Sequence, residues 1–259
     1  MDNDPQFNAT SFFYAPEDYI QNVLNNDELR TIVDIYERPP RLGSRSAPKP
    51  IGPNDVIRNR YFISTSGVVF DIIPSRLELF ETLDSPGQKE NKLNRFLQRV
   101  HDKYHYVFID CPPTTTVLTR AAFAASQHVV IPVTPDHFAT IGLPQFLATL
   151  SDFKENLTDD YNVSVLGVVF TKVPSNMSEP VKQAFTNVRL ATKKGDLPLL
   201  VADLPDLSVF KRAIWQARPV QQLEGRGLSG KGKANQAIRA ISTELLGLIR
   251  KRHEKESAK

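Results

Sequence analysis

Short apolar runs alternate along this chain with stretches whose apolar positions recur every three or four residues, the pattern of strands followed by helices. Val68-Val69-Phe70-Asp71-Ile72-Ile73 is a compact β-rich run, and Lys89–Lys103 places Leu93, Phe96, Leu97 and Val100 at helical spacing. Tyr106–Ile109 reads as a strand and Thr114–Ser126 as a helix whose threonines can cap its start. His128–Val133 follows as a strand, Leu143–Asn156 as a helix, and Val163–Phe170 as the longest apolar strand. A helix over Val181–Leu190 precedes a strand at Leu199–Ala202. The last helix runs from about Ala234 to Arg252, with Ile238, Ile241, Leu245, Leu248 and Ile249 in one stripe.

Strands separated by helices predict an α/β fold with a mostly parallel, doubly wound sheet covered by helices on both faces. Ligands of such sheets sit beyond the carboxyl ends of the strands, so chemistry is sought where strands stop. One stretch interrupts the alternation. Residues 36–60 hold five prolines and six Lys or Arg. Proline removes a backbone donor and fixes φ, so this stretch is read as a basic, Pro-rich exposed loop.

Composition adds bounds. The 259 residues are 41% hydrophobic and 24% charged, enough for a sizeable core. A single domain over residues 1–252 with a charged tail at 253–259 is the simplest organisation. Cys111 is the sole cysteine, so no intramolecular disulfide or cysteine zinc site forms, and a reducing, cytoplasmic setting is favoured. No run approaches the roughly 18 apolar residues of a membrane span, and the first residues lack the pattern of a signal peptide. Charge is uneven: from Lys211 to the C-terminus 12 Lys or Arg face four Glu, a local +8, leaving residues 1–210 at −5. A basic C-terminal fifth suits either a polyanion-binding face or a solvated helical surface.

Two acidic motifs stand out. Asp2-Asn3-Asp4-Pro5-Gln6 places two carboxylates at i and i+2, so both can point at a phosphate group and its metal; alone it reads equally as a solvated acidic terminus. In Tyr106-Val107-Phe108-Ile109-Asp110-Cys111-Pro112-Pro113 an apolar strand ends in an acid, which suits a carboxylate holding a magnesium-bound water, or a helix cap.

Taken together, these motifs resemble the ParA and MinD branch of deviant P-loop ATPases. Asp2–Thr10 resembles that family's D-x-D-P-Q-x-N-A-T segment, and Phe108–Pro113 its Walker B turn. Ile72–Ser75, His128–Val133 with Phe138–Leu143, and Val165–Lys172 are similar to its later strand ends. The resemblance implies a P-loop NTPase-like fold, ATP and Mg²⁺ as cofactors, and hydrolysis of ATP to ADP and phosphate. It implies Asp4 as the carboxylate that directs the attacking water. Asp2 and Asp110 would hold Mg²⁺ through water, and Pro112, Thr171 and Pro205 would lie against the nucleotide. DNA contacts would come from Lys211, Arg212, Arg218, Lys231, Lys233 and Arg239. The implied partners are a second copy of the chain in the ATP state, nonspecific DNA in plasmid or chromosome partitioning, and a ParB-like protein that stimulates hydrolysis, with a nucleoid-associated, cytoplasmic location.

The family's K-G-G-x-G-K-T loop has no counterpart here: no G-K-S/T occurs in the 259 residues, and Gly227–Lys233 lacks a hydroxyl residue after its lysines. The expectation is therefore an N-terminally truncated domain, missing the first strand-loop-helix-strand unit, with an incomplete sheet and no activity by itself. A genuine loss of nucleotide binding is the competing explanation; retention of Asp2, Asp4 and Asp110 favours truncation. Two other functions are weighed. A MinD-like membrane-surface ATPase would use Leu245–Arg252 as an amphipathic anchor, but the stripe continues from Ile238 and Ile241, so membrane contact is not expected. A non-catalytic DNA-binding adaptor is the other. An iron-sulfur relative is excluded, since its shared cluster needs two cysteines per subunit.

Overall fold

The computed structural model describes residues 1–26, 29–37, 51–63, 68–84, 89–156 and 163–257, which form two compact units: residues 1–126 with 214–217, and residues 127–213 with 218–259.

In the first unit the helices are α1 (Asn8–Phe13), α2 (Pro16–Tyr19), α3 (Ile32–Tyr36), α4 (Pro53–Val56), α5 (Glu81–Asp84), α6 (Glu90–Leu97) and α7 (Val117–Ala124). β1 (Arg58–Ile63) and β2 (Val68–Ile72) form an antiparallel pair running from Arg58↔Ile72 to Ile63↔Val68, with an irregularity between Asn59 and Tyr61. Helix α3 starts where it does because Thr31 and Asp34 cap reciprocally: Asp34 accepts from the Thr31 N–H at 2.8 Å and the Thr31 hydroxyl accepts from the Val33 N–H at 3.3 Å. Ile32, Tyr36, Leu79, Leu93, Phe96 and Leu118 form the fully buried centre of this unit. Leu93 and Phe96 come from the helical stripe read in the sequence. That helix ends at Leu97, and a 3₁₀ turn follows at His101–Lys103.

The described part of the Pro-rich stretch forms regular elements. Residues 38–50 lie outside the described residues, but Pro53 opens α4 at its first position, where a missing N–H costs nothing, and Asp55 accepts from the Gly52 N–H at 2.7 Å. Arg58 to Arg60 then enter β1. The loop reading therefore fails over residues 53–60.

The Tyr106–Ile109 strand also differs. Only Asp110 bridges, in parallel with Asp2, while Tyr106, Val107 and Phe108 are 54%, 42% and 75% exposed. Among the described residues the backbone beside them supplies partners only to Phe108 O, which accepts from the Met1 amine at 2.6 Å, and to Asp110. An apolar run becomes a strand only where a neighbour completes its ladder.

In the second unit β3 (His128–Val133) runs parallel to β4 (Ser164–Phe170), from His128↔Ser164 to Val133↔Phe170, with a register shift between Val129 and Val130 that leaves Leu166 as the extra residue. The helices are α8 (His137–Asn156), α9 (Glu179–Lys194), α10 (Ser208–Trp215), whose last residues belong to the first unit, and α11 (Lys231–Ser257). The segment after α9 follows β4 in parallel without forming a full strand: Val168↔Leu199 and Val173↔Pro205 are bridges, held by Val168 N–H to Pro198 O at 2.8 Å and Leu204 N–H to Phe170 O at 2.8 Å. The predicted Leu199–Ala202 strand is thus a single bridge, and Val201 is 92% exposed.

α8 begins six residues before the predicted Leu143 and carries Pro144 inside it. α11 extends through Ser257, so residues 253–257 are helical. Its stripe residues Ile238, Ile241, Leu245, Leu248 and Ile249 are half-buried throughout. The fold is α/β: among the described residues the first unit combines the antiparallel β1–β2 pair with a parallel Asp2↔Asp110 bridge, and the second unit pairs β3 and β4 in parallel.

Candidate functional site

The first unit gathers acids at its strand ends. Met1–Asn3 lies between the end of the β2 segment and Asp110: the Asp2 N–H donates to Ile73 O at 3.1 Å, Asn3 N–H to Asp110 O at 2.8 Å, and Asp110 N–H to Met1 O at 2.9 Å. Asp2, Asn3 and Asp4 are buried here.

Hydrogen bonds explain how these acids are accommodated. Asp2 Oδ2 accepts from the Thr10 N–H at 2.7 Å and the Thr10 hydroxyl at 2.6 Å, and its Oδ1 from the Asp4 N–H at 3.2 Å. Asp4 Oδ1 accepts from the Gln6 N–H at 2.9 Å. Ser75 closes the ring, with its N–H donating to Thr10 Oγ1 at 2.8 Å and its hydroxyl to Asp4 O at 3.0 Å. The turn between the acids and α1 passes through Phe7 at φ 44°, a left-handed conformation uncommon for an aromatic residue. Asn3 anchors the segment from below: its Nδ2 donates to Leu118 O at 2.9 Å and its Oδ1 accepts from the Tyr36 hydroxyl at 2.8 Å. Removing that hydroxyl in Tyr36→Phe leaves a buried acceptor unpaired. The variant is expected to lose about 1–2 kcal/mol of stability in urea unfolding.

The electrostatics are those of an acid cluster short of counter-charge. Burial pushes Asp2 upward against its Thr10 and Asp4 hydrogen bonds. Asp110 opens to solvent, yet the protein packed around its carboxyl and the Asp2 and Asp4 charges push it up to about 6. Its unfolded value is near 3.8, so the stability tied to protonated Asp110 is full below about pH 4 and lost as pH rises through about 6. Asp110→Asn is expected to flatten the stability profile across that window in unfolding series from pH 4 to 7. Cys111 lies half-buried beside it, with its thiol pushed up to about 12 chiefly by burial. A neutral thiol there is neither nucleophile nor metal ligand at neutral pH.

Among the described residues no three His, Cys, Asp or Glu side chains come close enough to hold a metal ion directly. The donor chemistry instead fits a divalent cation held through water: one solvent-facing carboxylate with a raised proton affinity, and buried carboxylates behind it, give a negative field.

The remaining sequence candidates fall in several places. Pro112 follows Asp110 in the first unit and is half-buried. Thr171 and Pro205 lie in the second unit at the carboxyl end of β4, where the Thr171 N–H donates to Val133 O at 2.9 Å and Pro205 bridges Val173. Of the basic candidates, Lys211, Arg218, Lys233 and Arg239 are exposed. Two are committed to their own fold: Arg212 donates to Arg226 O at 2.7 Å, and Lys231 Nζ to Leu223 O at 2.5 Å. Thr10, Ser75 and Tyr36 escaped the sequence reading. Thr10 closes the D-x-D-P-Q-x-N-A-T segment and Ser75 follows a strand-ending proline, so hydroxyls at these two stations were the available signal.

The sequence model of the AAA domain family, AAA_31, matches residues 1–163, and the chain belongs to that family. The sporulation initiation inhibitor protein Soj of Bacillus subtilis is 34% identical over 124 residues, 44% of this chain and 48% of that protein. A ParA family protein of Chlamydia muridarum is 27% identical over 172 residues, 62% of this chain and 64% of its own length. The chain thus spans about half to two thirds of these curated relatives. Among solved structures, the ATP complex of a McdA variant from Cyanothece superposes with a TM-score of 0.68 at 19% identity, covering 93% of this chain and 83% of that one. A plasmid partition protein of Borrelia burgdorferi B31 bound to AMPPNP gives 0.63 at 19% identity, covering 97% and 85%. These two likenesses show the fold alone, an α/β fold that the chain shares with both structures.

Proposed function

We propose that this chain is the catalytic part of a ParA-like ATPase for plasmid or chromosome partitioning, which hydrolyses ATP to ADP and phosphate. The buried Asp2-Asn3-Asp4 turn clasped to Asp110 carries this reading. Phosphoryl transfer needs charge neutralisation and an in-line water more than covalent chemistry. Asp4, held by the Gln6 N–H, is suited to orient that water and take its proton. Asp110, with Asp2 behind it, would hold Mg²⁺ through water, and the ion when bound would neutralise the phosphate oxygens. Pro112, Thr171 and Pro205 are assigned to the nucleotide surroundings by family resemblance. No G-K-S/T loop occurs in the 259 residues, so the chain by itself is expected not to turn over ATP.

The reading extends to an ATP-dependent homodimer that binds nonspecific DNA, is released by a ParB-like partner, and resides in the cytoplasm on the nucleoid. Among the described residues no helix is long and apolar enough to cross a membrane. Lys211, Arg218, Lys233 and Arg239 are the DNA-contact candidates, and Arg212 and Lys231 contribute by holding the 223–227 segment. The experiment for the DNA arm is a salt titration of binding to random-sequence duplex. Lys211→Glu with Arg218→Glu is expected to weaken binding on every sequence and to reduce the log–log salt slope by about 2. An unchanged affinity and slope would remove these two residues from the interface.

A further inference from the structure

The second unit contains a cavity of about 510 Å³ bounded by α8, β4, the turn after α9 and the last turns of α11. Its position follows from a pattern repeated on two helices. Leu147, Leu150, Ser151 and Lys154 on α8, and Leu248, Lys251, Arg252 and Lys255 on α11, each stand at i, i+3, i+4 and i+7 and so share one helical face. Both faces line the cavity, with Val165, Leu197 and Pro198 extending its apolar floor.

The rim is cationic. Lys154, Lys251, Arg252 and Lys255 are opposed by Asp196 alone among the lining residues. No ion pair joins any of the four to a carboxylate among the described residues. Arg252 is also fixed in place: its guanidinium donates to the Ser164 hydroxyl and to Val165 O, which holds its charge directly over the aliphatic floor. Unneutralised cations gathered over an apolar hollow repel one another and attract an anion that can also bury hydrocarbon.

The lining narrows the ligand class. No aromatic side chain is present for a nucleobase to stack on. β4 offers little edge for an added peptide strand, since β3 pairs along one side and, on the other, Pro198 and Leu200 bond Val168, Leu204 bonds Phe170 O and Arg252 bonds Val165 O. The volume lies within the range of small-molecule sites. We propose that this cavity binds a small amphipathic anion, with a phosphate or carboxylate head among Lys154, Lys251, Arg252 and Lys255 and an aliphatic body over Leu150 and Leu248.

The test is calorimetric titration of the full chain with decyl phosphate below its micelle concentration, with inorganic phosphate and decyltrimethylammonium as controls. Saturable binding of decyl phosphate is expected, at least tenfold tighter than inorganic phosphate, with none for the cationic amphiphile. Lys154→Glu with Lys251→Glu should weaken it at least tenfold, and so should Leu248→Trp, which fills the floor. Circular dichroism verifies that both variants fold, and the charge-reversal pair lies on exposed positions. Sedimentation with phosphatidylglycerol vesicles separates the sources: co-sedimentation lost in both variants assigns the anion to a lipid, whereas decyl phosphate binding without co-sedimentation assigns it to a soluble metabolite. Absence of saturable decyl phosphate binding would overturn the proposal, as would equal binding of decyltrimethylammonium or unchanged affinity in both variants.

Discussion

Replacing Asp4 with alanine is expected to abolish ATP turnover while leaving ATP affinity within about threefold, in the protein produced as its gene encodes it. Asp4 is 6% exposed, and the Gln6 N–H fixes one of its carboxylate oxygens at 2.9 Å. Its Oδ2 makes no hydrogen bond among the described residues, which leaves that atom to meet a water. A positioned general base contributes about 10²- to 10⁴-fold, so single-turnover phosphate release should fall by at least a hundredfold. Asp4→Asn tests the same role with the shape kept: the amide can still accept the Gln6 N–H but cannot take a proton. If Asp4→Asn keeps wild-type turnover, Asp4 is a turn residue and the base lies elsewhere.

Asp2→Ala is expected to cost about 3–4 kcal/mol of stability, the largest loss at any polar position of the first unit. Two effects oppose each other. Removing a buried carboxylate recovers the desolvation cost that raises its proton affinity. Against this, the N–H groups of Thr10 and Asp4 and the Thr10 hydroxyl lose their acceptor in a fully buried site. Orphaned buried donors cost about 1–3 kcal/mol each, and Thr10 and Ser75 are themselves completely buried, so water does not replace the carboxylate. The loss outweighs the recovery. Asp2→Asn retains one acceptor oxygen and should lose roughly half as much. Urea midpoints at pH 7 measure both, and an Asp2→Ala midpoint equal to wild type would show that the acid cluster does not organise this turn.

The sequence made the cluster legible and left its scaffolding hidden, for physical reasons visible in particular residues. Asp2, Asp4 and Asp110 are recognisable through the resemblance of their two motifs to a known family, since each acid alone reads equally as a solvated terminus or a helix cap. Thr10, Ser75 and Tyr36 are not, because a hydroxyl that pairs with a distant acid looks in sequence like any solvated one. The β3 and β4 runs were legible since both are flanked by partners that complete their ladders. Tyr106–Ile109 has the same composition but a neighbour only at Phe108 and Asp110, and composition carries no information about the neighbour. Arg58–Ile63 erred the other way: a polar, proline-led segment pairs with β2 over five positions, and tertiary pairing overrode its weak strand signal. Arg212 and Lys231 show the same limit for charge, since a basic side chain that ties down its own loop is indistinguishable in sequence from one awaiting a phosphate.

The central claim is that the Asp2-Asn3-Asp4 turn and Asp110 together form the magnesium-dependent ATP site. Its most direct test is fluorescent ATP analogue binding by the gene-encoded protein, with and without Mg²⁺, in wild type and in Asp110→Asn. The expected result is a Mg²⁺-dependent rise in affinity of at least tenfold in wild type that is lost in Asp110→Asn; an equal rise in both proteins, or none in either, would contradict it.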